Sequence, residues 1–198
     1  MEVKITTKMI SDLRSITSSG LIDCKKALKN SNGNFDDAIT YLKKRNLAFT
    51  IKKANCETKE GFIDTYVHLG GKLGVMLELN CQTDFVAKNQ ELRILAHTLS
   101  MQIAATNPIC INISDLSSIM INKEREIVKI QSKNKPNSVI EKIIDGKMQK
   151  WYEQVCLMEQ YCIKNPDKKI KDLINEKIVQ MGENILVSRF MRYQIGEN

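Results

Sequence analysis

The chain has 198 residues, of which 42% are hydrophobic and 27% charged, and this balance is typical of an ordinary globular protein of one or two domains. No apolar run approaches the roughly 18 residues of a membrane-spanning helix, and the N-terminus lacks the apolar core of a secretory signal. The six cysteines form no Cys-x-x-Cys pair and only two histidines are present, so we expect no structural zinc site.

The net charge of +7 is concentrated near the N-terminus. Residues 1–55 carry 11 Lys or Arg against 5 Asp or Glu, a charge of +6, whereas residues 56–198 carry 19 against 18. Such a basic patch faces either nucleic acid or an acidic protein surface. A basic helical RNA-binding module is therefore one candidate function, although aromatic side chains that could stack on bases are few there (Phe35, Tyr41 and Phe49).

Two short helices are predicted first. Met9, Ile10, Leu13 and Ile16 have the spacing of one helix face. A second helix over residues 21–28 would end at Asn32-Gly33, because glycine suits the left-handed position that follows a helix.

A third short helix is expected after Asn34, which is a favourable N-cap residue. Asp36 and Asp37 lie in its first turn and Lys43–Arg45 in its last, the charge order that the helix dipole favours. Residues 47–60 lack clean periodicity and are expected to form a linker. The core of such a three-helix bundle is marginal alone, so we expect it to contact a partner or the rest of the chain.

Beyond the linker the hydrophobic period changes to two. Two alternating runs, residues 62–69 and 73–80, flank Gly70-Gly71, which predicts a β-hairpin whose turn residues take positive φ. A helix capped by Asn89 and closed by Asn107-Pro108 is predicted next. Pro136 then separates a helix over 115–133 from a second helix that continues to about 155. A last helix follows Pro166 and ends at Gly182, and a third strand covers 185–193. The fold class is therefore α+β, with a small three-stranded antiparallel sheet flanked by helices and a helical hairpin at about 115–160.

The sequence offers little for catalysis. It contains no nucleophile elbow, phosphate-binding lysine loop or dinucleotide fingerprint. His68 and His97 are single histidines in a strand and a helix, and are expected to be structural. Cys24 precedes two lysines, which could lower its thiol pKa, but a small residue packed in a helix is the simpler interpretation. A thiol enzyme based on Cys24 or Cys81 lacks a paired histidine.

The most unusual segment is Thr83-Asp84-Phe85-Val86-Ala87, which places a carboxylate and a phenyl ring at the end of a strand. From the residues alone, the simpler interpretation is that Thr83 or Asp84 caps a helix and Phe85 packs in the core. The alternative is that Phe85 enters an apolar crevice of a partner while Asp84 bonds to a partner group, as in many binding hot spots.

Three separated segments resemble the elongation factor Ts family. The segment 80–87 (NCQTDFVA) is similar to the hallmark segment of the family. A second family signature is similar to residues 13–28 with the following Asn32-Gly33-Asn34, and a third is similar to Met181–Ile185. Their order is that of the family, and they span almost the whole chain. Two departures are visible: Leu21-Ile22 stands where Met-Met is usual, and Ser188 where an arginine is usual.

This resemblance implies a domain organisation. Residues 1–54 would form a UBA-like three-helix domain with its linker, and residues 55–198 an α+β core domain that includes the helical hairpin. The chain is similar to short members of the family, in which a homodimer restores a missing half, so we expect a homodimer. The expected location is the cytoplasm, or the stroma of a plastid.

The resemblance also implies a function without an enzymatic step or a cofactor. The protein would be a guanine-nucleotide exchange factor that acts on elongation factor Tu carrying GDP. Thr83, Asp84, Phe85 and Val86 would displace Mg²⁺ from this partner. Leu21 and Ile22, assisted by Lys25 and Lys26, would contact the GTPase domain of the partner.

Overall fold

The computed structural model describes residues 4–17, 19–131 and 137–197, with side chains from residue 140 in the last range. Its helices are α1 (Thr7–Thr17), α2 (Leu21–Asn30), α3 (Phe35–Ala54), α4 (Asp84–Ala87), α5 (Gln90–Thr106), α6 (Ser118–Gln131), α7 (Asn137–Val155) and α8 (Ile170–Met181). Its strands are β1 (Glu60–Val67), β2 (Leu73–Cys81), β3 (Tyr161–Cys162), β4 (Asn165–Lys169) and β5 (Ile185–Gln194). The predicted α+β class is confirmed.

The chain forms two compact units. The first contains the described residues up to Phe62 together with Leu79–Leu92 and Leu173–Leu186, and the second contains Ile63–Glu78, Arg93–Asp172 and the described residues from Val187 onward. The expected domains, 1–54 and 55–198, and the UBA-like character of the first stay predictions.

Helices α1 to α3 enclose a small core in the first unit. Its fully buried residues are Leu13, Cys24, Ala27, Leu28, Ala38 and Leu42. The Asn34 cap is confirmed, because its side-chain oxygen accepts hydrogen bonds from the backbone N–H groups of Asp36 (3.0 Å) and Asp37 (3.3 Å). Ile16, expected on the inner face of α1, is instead 57% exposed.

Helix α3 is longer than predicted. The linker expected over residues 47–60 is wrong for 47–54, because α3 continues to Ala54. This stretch contains no glycine or proline, and its leucine, alanine and lysine residues favour helix even where apolar periodicity is weak. Thr50 is also buried, which ties this part of the helix to the fold.

Strands β1, β2 and β5 form the antiparallel sheet, in the order β1-β2-β5. The predicted hairpin is confirmed: Gly70 and Gly71 have φ of 91° and 68°, and the His68 N–H donates to the Leu73 carbonyl at 2.8 Å. Alternate residues of β2 are buried, namely Val75, Leu77, Leu79 and Cys81.

One face of this sheet is apolar and uncovered in the second unit. On β1 the inward position is taken by Asp64, which accepts a hydrogen bond from Ser100 Oγ at 2.7 Å, so Ile63 and Val67 point to solvent. An ion pair of 2.6 Å between Arg189 and Glu78 places these two residues on the same face of β5 and β2. We name this surface the exposed sheet face; its apolar strand residues are Ile63, Val67, Met76, Met191 and Tyr193.

Helices α6 and α7 form the predicted helical hairpin. Val128 of α6 is buried against Ile144 and Met148 of α7. At the C-terminal end of α6, Gln131 Oε1 accepts a hydrogen bond of 3.1 Å from Lys147 Nζ of α7. Pro136, expected to separate the two helices, lies outside the described residues.

The sequence did not predict the two-stranded antiparallel sheet of β3 and β4. Its pairs are Tyr161 with Lys169 and Cys162 with Asn165. Strands this short carry no readable alternation. Within the described ranges, no helix has both the length and the hydrophobicity to cross a bilayer.

Candidate functional site

The segment that follows β2 forms a single helical turn. After Cys81 the chain bends at Gln82, and Thr83, whose backbone is extended (φ −126°, ψ 154°), is the N-cap of α4. Thr83 Oγ1 accepts a hydrogen bond from the Val86 N–H at 3.5 Å, and Ala87 is buried beneath the turn. The interpretation that Thr83 caps a helix is thus confirmed. We call Thr83, Asp84, Phe85 and Val86 the 83–86 turn.

Phe85 lies at the surface of this turn and is 81% exposed. The simpler interpretation, in which Phe85 packs in the core, is therefore wrong. A phenyl ring left in water gains nothing for folding, whereas burying it against a partner would contribute about 2 kcal/mol or more. The ring is placed as an anchor for an apolar crevice would be.

Asp84 stands beside Phe85 and is half-exposed. Its carboxylate accepts a hydrogen bond of 2.7 Å from Lys88 Nζ one turn later. This ammonium group lowers the pKa of the Asp84 carboxyl. Asp84 is therefore ionised at neutral pH and presents a negative charge next to the exposed ring.

The turn is held from the other end of the chain. Helix α8 ends at Met181, Gly182 after it has φ of 75°, and the two residues that follow form hydrogen bonds with Gln82 and Thr83. Glu183 accepts one hydrogen bond from the Thr83 N–H (3.1 Å) and another from Thr83 Oγ1 (2.7 Å). The Asn184 N–H donates to Gln82 Oε1 at 3.0 Å.

Sequence reasoning gave no role to Glu183 and Asn184, although both belong to a segment that resembles the family. The available signal was local: two polar residues follow a helix-ending glycine and precede a buried strand. Asn184 is 4% exposed, and a buried amide needs hydrogen-bond partners.

The second predicted contact region lies on the first turns of α2. Leu21 and Ile22 are 53% and 71% exposed, and Lys25 and Lys26 are exposed on the same helix. Cys24 lies between them in sequence but points into the bundle core. Both this region and the 83–86 turn belong to the first unit.

Cys24 and Cys81 are buried thiols, and His97 lies beside a carboxylate. Burial raises the pKa of the Cys24 and Cys81 thiols, which makes both poor nucleophiles at neutral pH. Ser100 Oγ and His97 Nδ1 both lie near the same oxygen of Asp64, at 2.7 and 3.5 Å. In a catalytic triad the histidine would instead contact the serine.

Comparison with known proteins places the chain in a family. The model of the family described as elongation factor TS matches residues 9–197. The chain is 53% identical to an elongation factor Ts of Thermodesulfovibrio yellowstonii, over 98% of this chain and 97% of that protein. It is 48% identical to the elongation factor Ts of Thermotoga maritima, over 98% of both chains, and 45% identical to that of Carboxydothermus hydrogenoformans, over 98% and 90%. The chain belongs to the elongation factor Ts family.

Proposed function

We propose that this protein is the guanine-nucleotide exchange factor of translation elongation. It binds elongation factor Tu carrying GDP, displaces Mg²⁺ and promotes GDP release, so that GTP can bind. Membership of the family supports the partner and the reaction. The observation that carries the mechanism is Phe85, an aromatic ring 81% exposed on an anchored turn. The protein performs no covalent step and works where the partner works, in the cytoplasm or a plastid stroma.

The 83–86 turn is the working part of this proposal. Phe85 enters an apolar crevice of the GTPase domain, and the ionised Asp84 acts on the groups around Mg²⁺. Thr83 and Val86 set the shape of the turn through the hydrogen bond between them. These side chains act on the fold of the partner and not on a substrate of this protein.

The energetics require only a modest change in the partner. GDP is held by a phosphate-cradling loop and by Mg²⁺, so losing the metal removes much of the binding energy. Accelerating release about 10⁴-fold requires lowering the release barrier by about 5.5 kcal/mol. The coupling is reciprocal: the factor by which this protein weakens GDP binding is the factor by which GDP weakens binding of this protein.

Leu21 and Ile22 make the second contact with the GTPase domain. Both are apolar and exposed at the start of α2, so their burial favours association. Lys25 and Lys26 add attraction to an acidic surface, which raises the rate of encounter more than the final affinity.

The protein forms a homodimer in this proposal, and the exposed sheet face is the surface that supports it. The apolar residues of α7 do not support a dimer equally, because Ile144 and Met148 are buried within the helical hairpin. Five apolar side chains on one sheet face exceed what scattered surface residues explain.

The proposal is tested by following the release of fluorescent GDP from elongation factor Tu. With unlabelled nucleotide in excess, a substoichiometric amount of the protein should release all of the labelled GDP, and release should slow as free Mg²⁺ is raised. Release at the spontaneous rate would contradict the proposal. A parallel filter-binding assay tests the alternative of a basic RNA-binding module: RNA retention without accelerated release would favour that alternative.

A further inference from the structure

We propose that Glu183 is a positioning residue for exchange: its carboxylate holds the 83–86 turn in the orientation that inserts into the partner. This inference rests on the proposed function and deepens it. Glu183 touches neither nucleotide nor metal in this account, and it acts through Thr83.

The geometry at Thr83 is that of a two-point clamp. The two oxygens of one carboxylate accept from two donors of one residue, the backbone N–H (3.1 Å) and the hydroxyl (2.7 Å). Hydrogen bonds to an ionised acceptor are about twice as strong as neutral ones, and two parallel bonds fix direction as well as distance. The hydroxyl that donates to Glu183 also accepts from the Val86 N–H, so the clamp extends into the turn.

The two residues at the tip of the turn, Asp84 and Phe85, do not provide this orientation. Phe85 is 81% exposed, so packing does not fix it, and the carboxylate of Asp84 is bonded to Lys88, which is itself exposed. The entry to the turn is therefore set by Thr83 and by Gln82 before it. Gln82 is fixed by the N–H of Asn184, the residue next to Glu183.

Asn184 gives the clamp a firm base. Its side-chain amide donates to the carbonyls of Cys56 (2.9 Å) and Ala54 (3.4 Å), at the end of α3, and the residue is 4% exposed. The backbone of Glu183 is thus held between the buried Asn184 and Gly182, the residue that follows α8. A turn that is already held in its bound orientation loses less conformational entropy when it inserts into the partner, so the free-energy cost of insertion is lower.

The test separates insertion from first contact. GDP release from elongation factor Tu is measured against the concentration of this protein, giving a maximal rate and a half-saturating concentration. Glu183→Gln retains the shape of the side chain but loses the charge and one acceptor. We expect its maximal rate to fall about tenfold, the effect of one charge-assisted hydrogen bond, with the half-saturating concentration unchanged.

Glu91→Gln is the matched control. It also removes a carboxylate of the first unit, one paired with Lys177 at 2.7 Å, but this carboxylate does not bond to the turn. Its maximal rate should equal that of the wild-type protein. A purely structural effect of Glu183→Gln would reduce the folded fraction, which would raise the apparent half-saturating concentration and leave the maximal rate intact.

A double-variant cycle tests whether Glu183 acts through Thr83. Thr83→Val removes the hydroxyl that Glu183 binds, so combining it with Glu183→Gln should reduce the maximal rate by less than the product of the two single effects. An unchanged maximal rate in Glu183→Gln, or fully multiplicative effects, would overturn the inference while leaving the exchange function intact. If the wild-type protein does not accelerate release at all, the proposed function fails instead.

Discussion

At Thr83 one hydroxyl group serves two neighbours. It donates to Glu183 at 2.7 Å and accepts from the Val86 N–H at 3.5 Å. The same residue thereby begins a helical turn and connects to a residue 100 positions later in the chain. A valine has almost the same shape but lacks the hydroxyl, and it would keep only the bond from its backbone N–H to Glu183.

The buried thiols provide a prediction about reactivity. Burial, followed by the hydrogen bond with Cys110, raises the pKa of the Cys156 thiol from 9.0 to about 12. At pH 8 its thiolate fraction is then about 1000-fold lower than that of an unperturbed thiol. We expect iodoacetamide to alkylate the partly exposed Cys56 quickly and Cys156 slowly, as measured by peptide mass spectrometry of the reduced protein. Equal rates at the two positions would contradict the burial of Cys156.

The raised pKa of Cys156 also determines how the free energy of unfolding depends on pH. A thiol with a raised pKa in the folded state retains its proton longer than in the unfolded chain, so the folded state binds more protons between about pH 9 and pH 12. The contribution of Cys156 to stability is complete below pH 9 and falls as the pH rises toward 12.

At the scale of elements, β1 and β2 approach closely at Gly61. A Cβ atom at this position would lie 2.4 Å from the Leu79 carbonyl oxygen and 2.8 Å from Asn80 Cα, and both are backbone atoms. We predict that Gly61→Ala lowers the free energy of unfolding by about 2 kcal/mol or more, measured by urea denaturation.

Gly74, within β2, is the matched control for that substitution. A Cβ there would meet nothing within 4 Å, and alanine is the better strand residue. Gly74→Ala should leave stability unchanged or raise it by about 0.5 kcal/mol. Equal losses at Gly61 and Gly74 would show that the close approach at Gly61 is not the cause.

The elements differ in how far the sequence predicts them. The Asn34 cap and the Gly70-Gly71 hairpin follow from local chemistry, and both are confirmed. The end of α3 was misplaced because weak apolar periodicity is not a helix stop. The clamp between Glu183 and Thr83, and the exposure of Phe85, depend on which elements meet in three dimensions. Local patterns do not contain that information: the residues alone left an exposed Phe85 as the alternative interpretation, and the family resemblance favoured it.

At the scale of the whole molecule, the proposed homodimer predicts a concentration-dependent mass. Sedimentation velocity at micromolar concentration should show a dimer, and Val67→Glu should shift it to monomer by placing a charge on the exposed sheet face. Ile130→Glu is the control, because Ile130 is similarly exposed (63% against 67%) but lies on α6. A wild-type protein that is monomeric and fully active would contradict the dimer.

The most direct test of the account is GDP release by a variant that lacks the two exposed side chains of the turn. Asp84→Ala combined with Phe85→Ala removes no core packing, since Phe85 is 81% exposed and Asp84 48%, so its urea unfolding curve should match that of the wild-type protein. Ile109→Ala, which truncates another exposed apolar residue (60%), serves as the control and should retain full exchange.

We expect the folded double variant to release fluorescent GDP from elongation factor Tu at close to the spontaneous rate, because the groups that enter the partner and displace its Mg²⁺ are missing. Release at the wild-type rate by the folded double variant would contradict the assignment of the 83–86 turn as the working part of this protein.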